Sequence, residues 1–357
     1  MTIVRDVVPT ETSTLRPTRF RHLLRVTWLQ HRGTILSLFA LLVAIALATI
    51  VADMQSRTEY AQYVANRCIS KPFHAPCGTI GNWFADSTDT LSALVIAASA
   101  IPTIVGVFVG APLLSREFEA GTFRFTFTQR VGRNRFVLTT LMILATIVII
   151  IAIASGLLLS WLVHPFEVVG IDDRWQSGLF NATSLLLSGW CVLALCAGVL
   201  LGAYLKRVVA SMAATAIVVG GFFIASFMYV VKWMLSIGSL TTSRLSPIGL
   251  GVGTLGLPAR LAPGAPSGSW LIRSWFAGSR GQLLTAKAAN RVYERIFEAS
   301  NAKSFNLTHW LSLHHVVFNV SYQPASRFMI FQLGAAVILV GLACVFAILT
   351  LRRIRSV

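Results

Sequence analysis

The sequence predicts an all-α integral membrane protein with six transmembrane helices, both termini in the cytoplasm and a large extracytoplasmic loop between helices 5 and 6. Three observations predict this class. The mean hydropathy is +0.72. Only 12% of the 357 residues are charged, whereas soluble domains carry about 25%. Six apolar stretches are long enough to cross a bilayer.

A hydrocarbon core of about 30 Å requires about 20 apolar residues of helix. The six stretches have this length and contain no charged residue. Because lipid offers no hydrogen-bond partner, the backbone N–H and C=O groups must bond to each other, and each stretch is predicted to be helical. They are Thr34–Ala52, Leu91–Leu114, Leu138–Val163, Ser184–Leu205, Val208–Val231 and Met329–Leu351. The chain then divides into a cytoplasmic lead (1–33), helices 1–5 (34–231), an extracytoplasmic loop (232–328) and helix 6 with a basic tail (329–357).

The distribution of Lys and Arg predicts the orientation. Segments that would lie inside hold 16 of these residues, and the short loops opposite hold four: Arg57, Arg67, Lys71 and Arg174. Basic residues favour the cytoplasmic side, so both termini are predicted there. The net charge of +17 is explained by orientation and contact with anionic lipid, and a nucleic-acid partner is not predicted.

Two features flank the first predicted span. Thr18–Gly33 alternates apolar and basic residues at helical spacing, which predicts an amphipathic helix in the cytoplasmic interface. Cys68 and Cys77 share the loop after the span, and an extracytoplasmic location would permit a disulfide between them. Whether they are bridged is left open.

The second and fourth spans each contain a G-x-x-x-G motif. The motifs are Gly106 to Gly110 and Gly198 to Gly202, and they favour close helix packing, either within the chain or between two copies. Pro102 removes a backbone donor and predicts a bend in the second span. In the large loop, Thr285–Ser300 has one apolar face and predicts an amphipathic surface helix.

The chain lacks the common sequence signatures of an enzyme. It has no nucleotide-binding Gly-Lys loop, no H-E-x-x-H and no G-x-S-x-G. No ionisable residue lies inside a predicted span core, so coupling to an ion gradient is not expected. We therefore expect no catalytic residue, no metal and no cofactor bound by this chain, and transport energy would come from a partner.

The cytoplasmic loop between spans 2 and 3 is the segment best suited to receive that energy. Residues 115–137 are long for a connector and rich in aromatic and basic side chains. Glu117 and Glu119 would suit the N-terminus of a short helix, where the helix dipole favours negative charge. Gly121 would end that helix.

This loop resembles the corresponding segment of ATP-binding-cassette type-2 permeases. Glu117, Gly121 and Thr122 match an acid-x-x-x-Gly-Thr pattern, and Arg133 and Arg135 match the basic residues that follow it. The stretch from Tyr322 to Gln332 is similar to actinobacterial members of the same group. The layout of six spans also agrees with the family.

The resemblance implies a transmembrane permease subunit of an ATP-driven exporter in the bacterial cytoplasmic (inner) membrane. It implies a second permease subunit, identical or homologous, and two separate ATP-binding subunits that hold ATP and Mg. The residues implied to couple to the ATPase are Arg116, Glu117, Glu119, Gly121, Thr122 and Phe123. Those we expect along the substrate pathway are Thr103, Phe222, Phe223, Ser226 and Phe227.

Two alternatives remain open at this stage. One is a sensor or scaffold subunit of an ABC-like complex that transports nothing. The other, less favoured, is a membrane enzyme that acts at the outer interface through His309, His314 and His315.

Overall fold

The structure is a computed structural model. It describes residues 20–68, 75–121, 133–169, 175, 177–244, 269–278 and 315–355, and singly 282, 284, 287, 288, 291, 292, 294 and 313. Six helical segments in these ranges are long and apolar enough to cross a membrane. They are Ile35–Ala65, Cys77–Glu119, Val137–Val169, Ser184–Leu205, Val208–Ser236 and Ala325–Arg355. The six predicted spans are therefore confirmed by length and composition.

The helices follow one another in chain order, with two π-helical insertions. The helices are α1 (Phe20–Ala65), α2 (Ala75–Asp86), α3 (Thr88–Val105), α4 (Ala111–Glu119), α5 (Arg133–Val169), α6 (Ser177–Ala182), α7 (Ser184–Leu205), α8 (Val208–Ala225), α9 (Val231–Ser236) and α10 (Phe328–Arg355). The π segments Gly106–Gly110 and Ser226–Val230 join α3 to α4 and α8 to α9.

The first helix is much longer than the apolar pattern predicts. It runs unbroken for 46 residues, so the segment before Gly33 is not a separate helix and the span does not end at Ala52. Asp53 sustains the helix beyond the apolar stretch because its carboxylate pairs with Arg57, one turn later, at 3.1 Å. The Arg57 side chain also donates a 3.0 Å hydrogen bond to the Trp161 carbonyl of α5. This pair fixes the far end of α1 to α5.

The loop that follows is also more helical than predicted. After α1 ends, Cys68 and Cys77 form a disulfide whose Cα atoms are 5.5 Å apart. Both cysteines are buried. The bridge joins the end of α1 to the first turn of α2, which packs through Phe84 against Phe166 of α5 at 5.0 Å between ring centroids.

Helix α7 lies at the centre of the bundle. In its most apolar stretch 72% of the residues are buried, against 22–39% in the other spans. The two G-x-x-x-G motifs meet here, because Gly106 and Gly110 pack against Gly198 and the neighbouring turns of α7. A Cβ added at Gly110 would lie 2.6 Å from the Leu195 carbonyl oxygen. The motifs therefore mediate close packing within the chain.

The prediction of an all-α protein is wrong in the large loop, which contains a three-stranded antiparallel sheet. Its strands are β1 (Leu240–Arg244), β2 (Trp270–Gly278) and β3 (Val316–Gln323), in the order β1-β3-β2. The strands are rich in β-branched and aromatic residues, which favour extended backbone. They are far apart in sequence, so helical periodicity gave no indication of their pairing. Of the predicted helix Thr285–Ser300, only Lys287, Ala288, Arg291, Val292 and Glu294 are described, and they are helical.

Polar and aromatic contacts attach the sheet to the helices. The Gln323 amide donates hydrogen bonds to the carbonyls of Leu235 and Ile237, at 3.0 and 2.8 Å, and so satisfies the end of α9. Arg327 donates to the Gly238 carbonyl at 2.6 Å. Trp175 stacks on Trp270 of β2 with 6.4 Å between ring centroids. We call this end of the bundle, marked by the sheet and Trp175, the sheet end.

The opposite end contains short turns and the C-terminal part of α10. There the Arg353 guanidinium lies 5.0 Å from the centre of the Tyr204 ring at the end of α7. We call this end, marked by Glu119, Lys206 and Arg353, the tail end.

Candidate functional site

The predicted coupling segment begins in the last turns of α4 and extends past its end, at the tail end of the bundle. The helix ends at Glu119, and Gly121 has a φ of +67°, which glycine adopts without steric cost, so the chain leaves the helix where the sequence predicts. Arg116 and Glu119 are exposed and Glu117 is half-buried. Thr122 and Phe123 lie outside the described residues, so their predicted role stays a prediction.

The sequence predicted that the acids of this segment begin a short helix, and this prediction is wrong. Glu117 and Glu119 stand in the last turn of α4, where the helix dipole disfavours negative charge. Glu119 finds a compensating partner in another span. Its Oε2 accepts a 2.8 Å hydrogen bond from the backbone N–H of Val208, the first residue of α8. The carboxylate thus caps the positive end of α8.

A second contact joins the same elements. The Lys206 ammonium lies 5.6 Å from the centre of the Phe118 ring, a cation–π arrangement. Lys206 has a φ of +57° and forms the tight turn between α7 and α8. The predicted coupling segment therefore touches the turn that leads directly into α8.

At the sheet end, α3 and α8 border an apolar cavity of about 630 Å³. Phe223, Ile224 and Phe227 contribute from α8 and its π segment, and Leu91, Val95 and Ile96 contribute from α3. Two of the five predicted pathway residues, Phe223 and Phe227, thus line one cavity together with the second span.

The other three pathway residues lie elsewhere. Phe222 and Ser226 line a smaller pocket of about 90 Å³ that faces Trp190 and α10. Thr103 is half-buried in α3 and lines neither cavity. Adjacent residues on a helix point about 100° apart, which explains why Phe222 and Phe223 separate although the sequence groups them.

Two phenylalanines of α8 pack against Trp190 of α7. The Trp190 ring lies 5.0 Å from Phe223 and 5.4 Å from Phe222, both edge-on. The Trp190 indole N–H donates a 3.2 Å hydrogen bond to Asn181. This satisfied buried tryptophan fixes the wall of the cavity.

Each of the two helices that border the cavity is followed directly by a π-helical turn. One covers Gly106–Gly110 and the other Ser226–Val230. Such turns occur frequently at functional sites because the extra residue re-aims the side chains that follow. Here Phe227, in the second π segment, points into the cavity. Nothing in the hydropathy pattern indicated either turn.

Most residues of these sites were not predicted from the sequence, and three of them show why. Val208 contributes only its backbone N–H, so no side-chain pattern could indicate it. Lys232 and Trp270 line the cavity, but they lie in or next to the large loop, where no helical pattern placed them near span 2.

The alternative based on histidines gains no support from the described residues. His309 and His314 lie outside them, and His315 is exposed. In the part of the chain that the structure describes, no three His, Cys, Asp or Glu side chains are placed to hold a metal ion.

Six membrane-length helices, a tightly packed central span and an apolar cavity between two spans are the architecture of a multi-pass membrane protein. The family model described as "ABC-2 membrane transporter related" matches residues 39–231, more than half of the chain. The chain belongs to this family, as the resemblance of the 115–137 loop indicated. Membrane subunits of the family work with ATP-binding subunits in ABC transporters. No curated protein and no solved structure matches the chain.

Proposed function

We propose that the chain is the permease subunit of an ATP-driven exporter in a bacterial cytoplasmic membrane. It would pair with a second permease, identical or homologous, above two ATP-binding subunits that hold ATP and Mg. The tail end would face the cytoplasm, and the sheet end would face outward.

The observation that carries this proposal is the hydrogen bond between Glu119 and Val208. It joins the segment predicted to contact the ATPase to the first residue of α8, at 2.8 Å. Helix α8 then continues without a break to Ala225. A displacement of the coupling segment would therefore act directly on a helix that borders the cavity.

The geometry of α8 suits it to transmit such a displacement. Phe223 lies 15 residues after Val208, which corresponds to about 22 Å along a helix. In contrast, α7 packs backbone to backbone against the second span through its glycines; a Cβ at Gly202 would lie 2.6 Å from the Ala111 carbonyl oxygen. In an alternating-access cycle, nucleotide binding would move the coupling segment, and α8 would shift against this packed core.

The test is reconstitution with the ATP-binding subunit that co-purifies with the chain. Arg116 is exposed and belongs to the predicted ATPase contact, so Arg116→Glu should abolish docking of the ATPase and ATP-dependent cargo movement while insertion is unchanged. Glu117→Lys should insert normally but fail to stimulate ATP hydrolysis.

Arg291→Glu is the matched control, because Arg291 is also exposed but lies in the large loop. It should keep full docking and stimulation. Normal docking and stimulation in both Arg116→Glu and Glu117→Lys would contradict the coupling assignment, and an ATPase-loaded complex that moves no cargo would contradict export.

A further inference from the structure

The cavity between α3 and α8 has an uneven distribution of charge. Of the described residues that line it, only Lys232 is charged, and its side chain is exposed. Lys232 stands in the first turn of α9, five residues after Phe227. No described carboxylate forms an ion pair with it at 4.0 Å or less. The cavity therefore combines an apolar interior with one cation at its rim.

The interior can hold an apolar chain. Its volume of about 630 Å³ falls within the range of roughly 300–1,000 Å³ found for small-molecule sites. Its walls include aliphatic side chains of α3 and apolar side chains of α8 and the π segment that follows it. Ser92 and Ser99 are the hydroxyl residues among the described lining. They lie about two helical turns apart and leave most of the wall apolar.

The sheet closes one side of the cavity through Trp270. This residue opens strand β2 and lines the cavity together with Lys232. Its ring is stacked on buried Trp175 at an interplanar angle of 15°, and Trp175 packs edge-on against Phe328 of α10 at 5.0 Å. The wall formed by Trp270 is thus attached to the sixth span, and the apolar space is a built feature of the fold.

From these features we propose that the cavity binds a single-chain amphiphile with an anionic headgroup. The chain would lie against Val95, Phe223 and Phe227, and the carboxylate or phosphate would pair with Lys232. This inference rests on the proposed function, since it names the class of cargo for the same pathway. Charge complementarity decides the headgroup: a cationic amphiphile would meet Lys232 as a like charge, and a neutral one would leave it without an ionic partner.

The experiment measures binding to the full-length chain in nanodiscs of zwitterionic lipid, without ATP. The probes are a long-chain carboxylate, its primary amide and its trimethylammonium analogue, all with the same chain and a photoactivatable group near its end. Affinity is measured at equilibrium, and the cross-linked position is mapped by mass spectrometry. We expect the carboxylate to bind about fivefold more tightly than the amide, the size of a partly exposed ion pair. Cross-links should fall on α3 and α8.

Three variants separate the headgroup from the chain. Lys232→Gln should remove the preference for the carboxylate and leave amide binding unchanged, whereas Lys232→Arg should keep it. Ser99→Leu, which fills the cavity, should weaken both probes. Lys287→Gln is the control, because Lys287 is exposed in the large loop and does not line the cavity.

Several outcomes overturn the inference. These are equal affinities of the wild-type chain for carboxylate and amide, a loss of preference in Lys287→Gln as large as in Lys232→Gln, and cross-links away from the cavity. The result is separable from the export proposal. Selective binding without ATP-driven transport would support the binding site and contradict export. ATP-driven transport of another cargo without selective binding would support export and contradict the binding site.

Discussion

The Glu119 carboxylate of one span accepts a hydrogen bond from the backbone N–H of Val208 at the start of another, at a sequence separation of 89. Arg207, the residue before α8, makes no side-chain capping bond of its own. Glu119 therefore supplies the acceptor that an N-cap residue would normally provide for one of the free N–H groups of a first helical turn.

The first prediction concerns this cap. Glu119→Ala should lower the stability of the chain by about 1 kcal/mol, the usual cost of losing a cap. Glu119→Gln keeps an acceptor oxygen and should cost less. Hydrogen exchange by mass spectrometry should show faster exchange at the first turn of α8 in the alanine variant. Glu294→Ala, at an exposed position of the large loop, should leave that exchange rate unchanged; equal rates in Glu119→Ala and wild type would contradict the cap.

Hydropathy was sufficient to predict the six spans but not their ends. The reason is visible at Asp53, where a charged residue ended the predicted span. The carboxylate is buried beside Arg57, and the helix continues through the polar stretch that follows. From sequence alone, a polar stretch of this kind is equally compatible with a water-exposed loop. The sheet was missed for a similar reason, since the pairing of Trp270 with Gln323 depends on tertiary structure.

The second prediction concerns the packing of the two glycine motifs. Gly110→Ala should destabilise the chain by about 1–3 kcal/mol, the usual range for overpacking, because the added methyl group would lie 2.6 Å from the Leu195 carbonyl oxygen. Gly341→Ala in α10 is the control, since nothing lies within 4 Å of its added Cβ, and it should stabilise the helix by up to about 1 kcal/mol. Thermal unfolding in detergent would measure both, and a neutral Gly110→Ala would contradict the packing.

The candidate site was predicted as a region, and its detailed arrangement was not. Span 5 does border a cavity with span 2, but the sequence gave no means of separating Phe223, which faces the cavity, from Phe222, which faces α10. A helix with apolar residues on all sides has no amphipathic face to set its rotation. Glu119 of the coupling segment was misplaced because its partner is a backbone N–H group.

The third prediction concerns the bridge between Cys68 and Cys77. Replacing both residues with serine should lower stability by about 2–3 kcal/mol, because the bridge closes a short loop. A membrane-impermeant maleimide applied to intact cells should label the wild-type chain at these positions only after reduction. Cys344→Ser retains the bridge and serves as the control. Labelling without a reductant would contradict the bridge, and labelling restricted to inverted vesicles would contradict the proposed orientation of the sheet end.

The fourth prediction concerns the ion pair of Asp53 and Arg57. The Asp53 side chain is 3% exposed and that of Arg57 is 34% exposed, so removing the arginine would leave a buried carboxylate without its charged partner. Arg57→Gln should cost about 1–3 kcal/mol, less than a fully buried pair because Arg57 reaches solvent. The variant would also lose the contact with Trp161, where the guanidinium lies 4.8 Å from the ring centre.

A double-mutant cycle separates these two contributions. Asp53→Asn with Arg57→Gln removes both charges, so the double variant should be more stable than Arg57→Gln alone if the unpaired carboxylate causes the loss. If the contact with Trp161 dominates instead, the double variant will be no more stable than Arg57→Gln, and Trp161→Leu alone should reproduce most of the effect. Unfolding of the four chains in mixed detergent measures the coupling free energy, and additive losses from the two single variants would show that the pair does not stabilise α1 against α5.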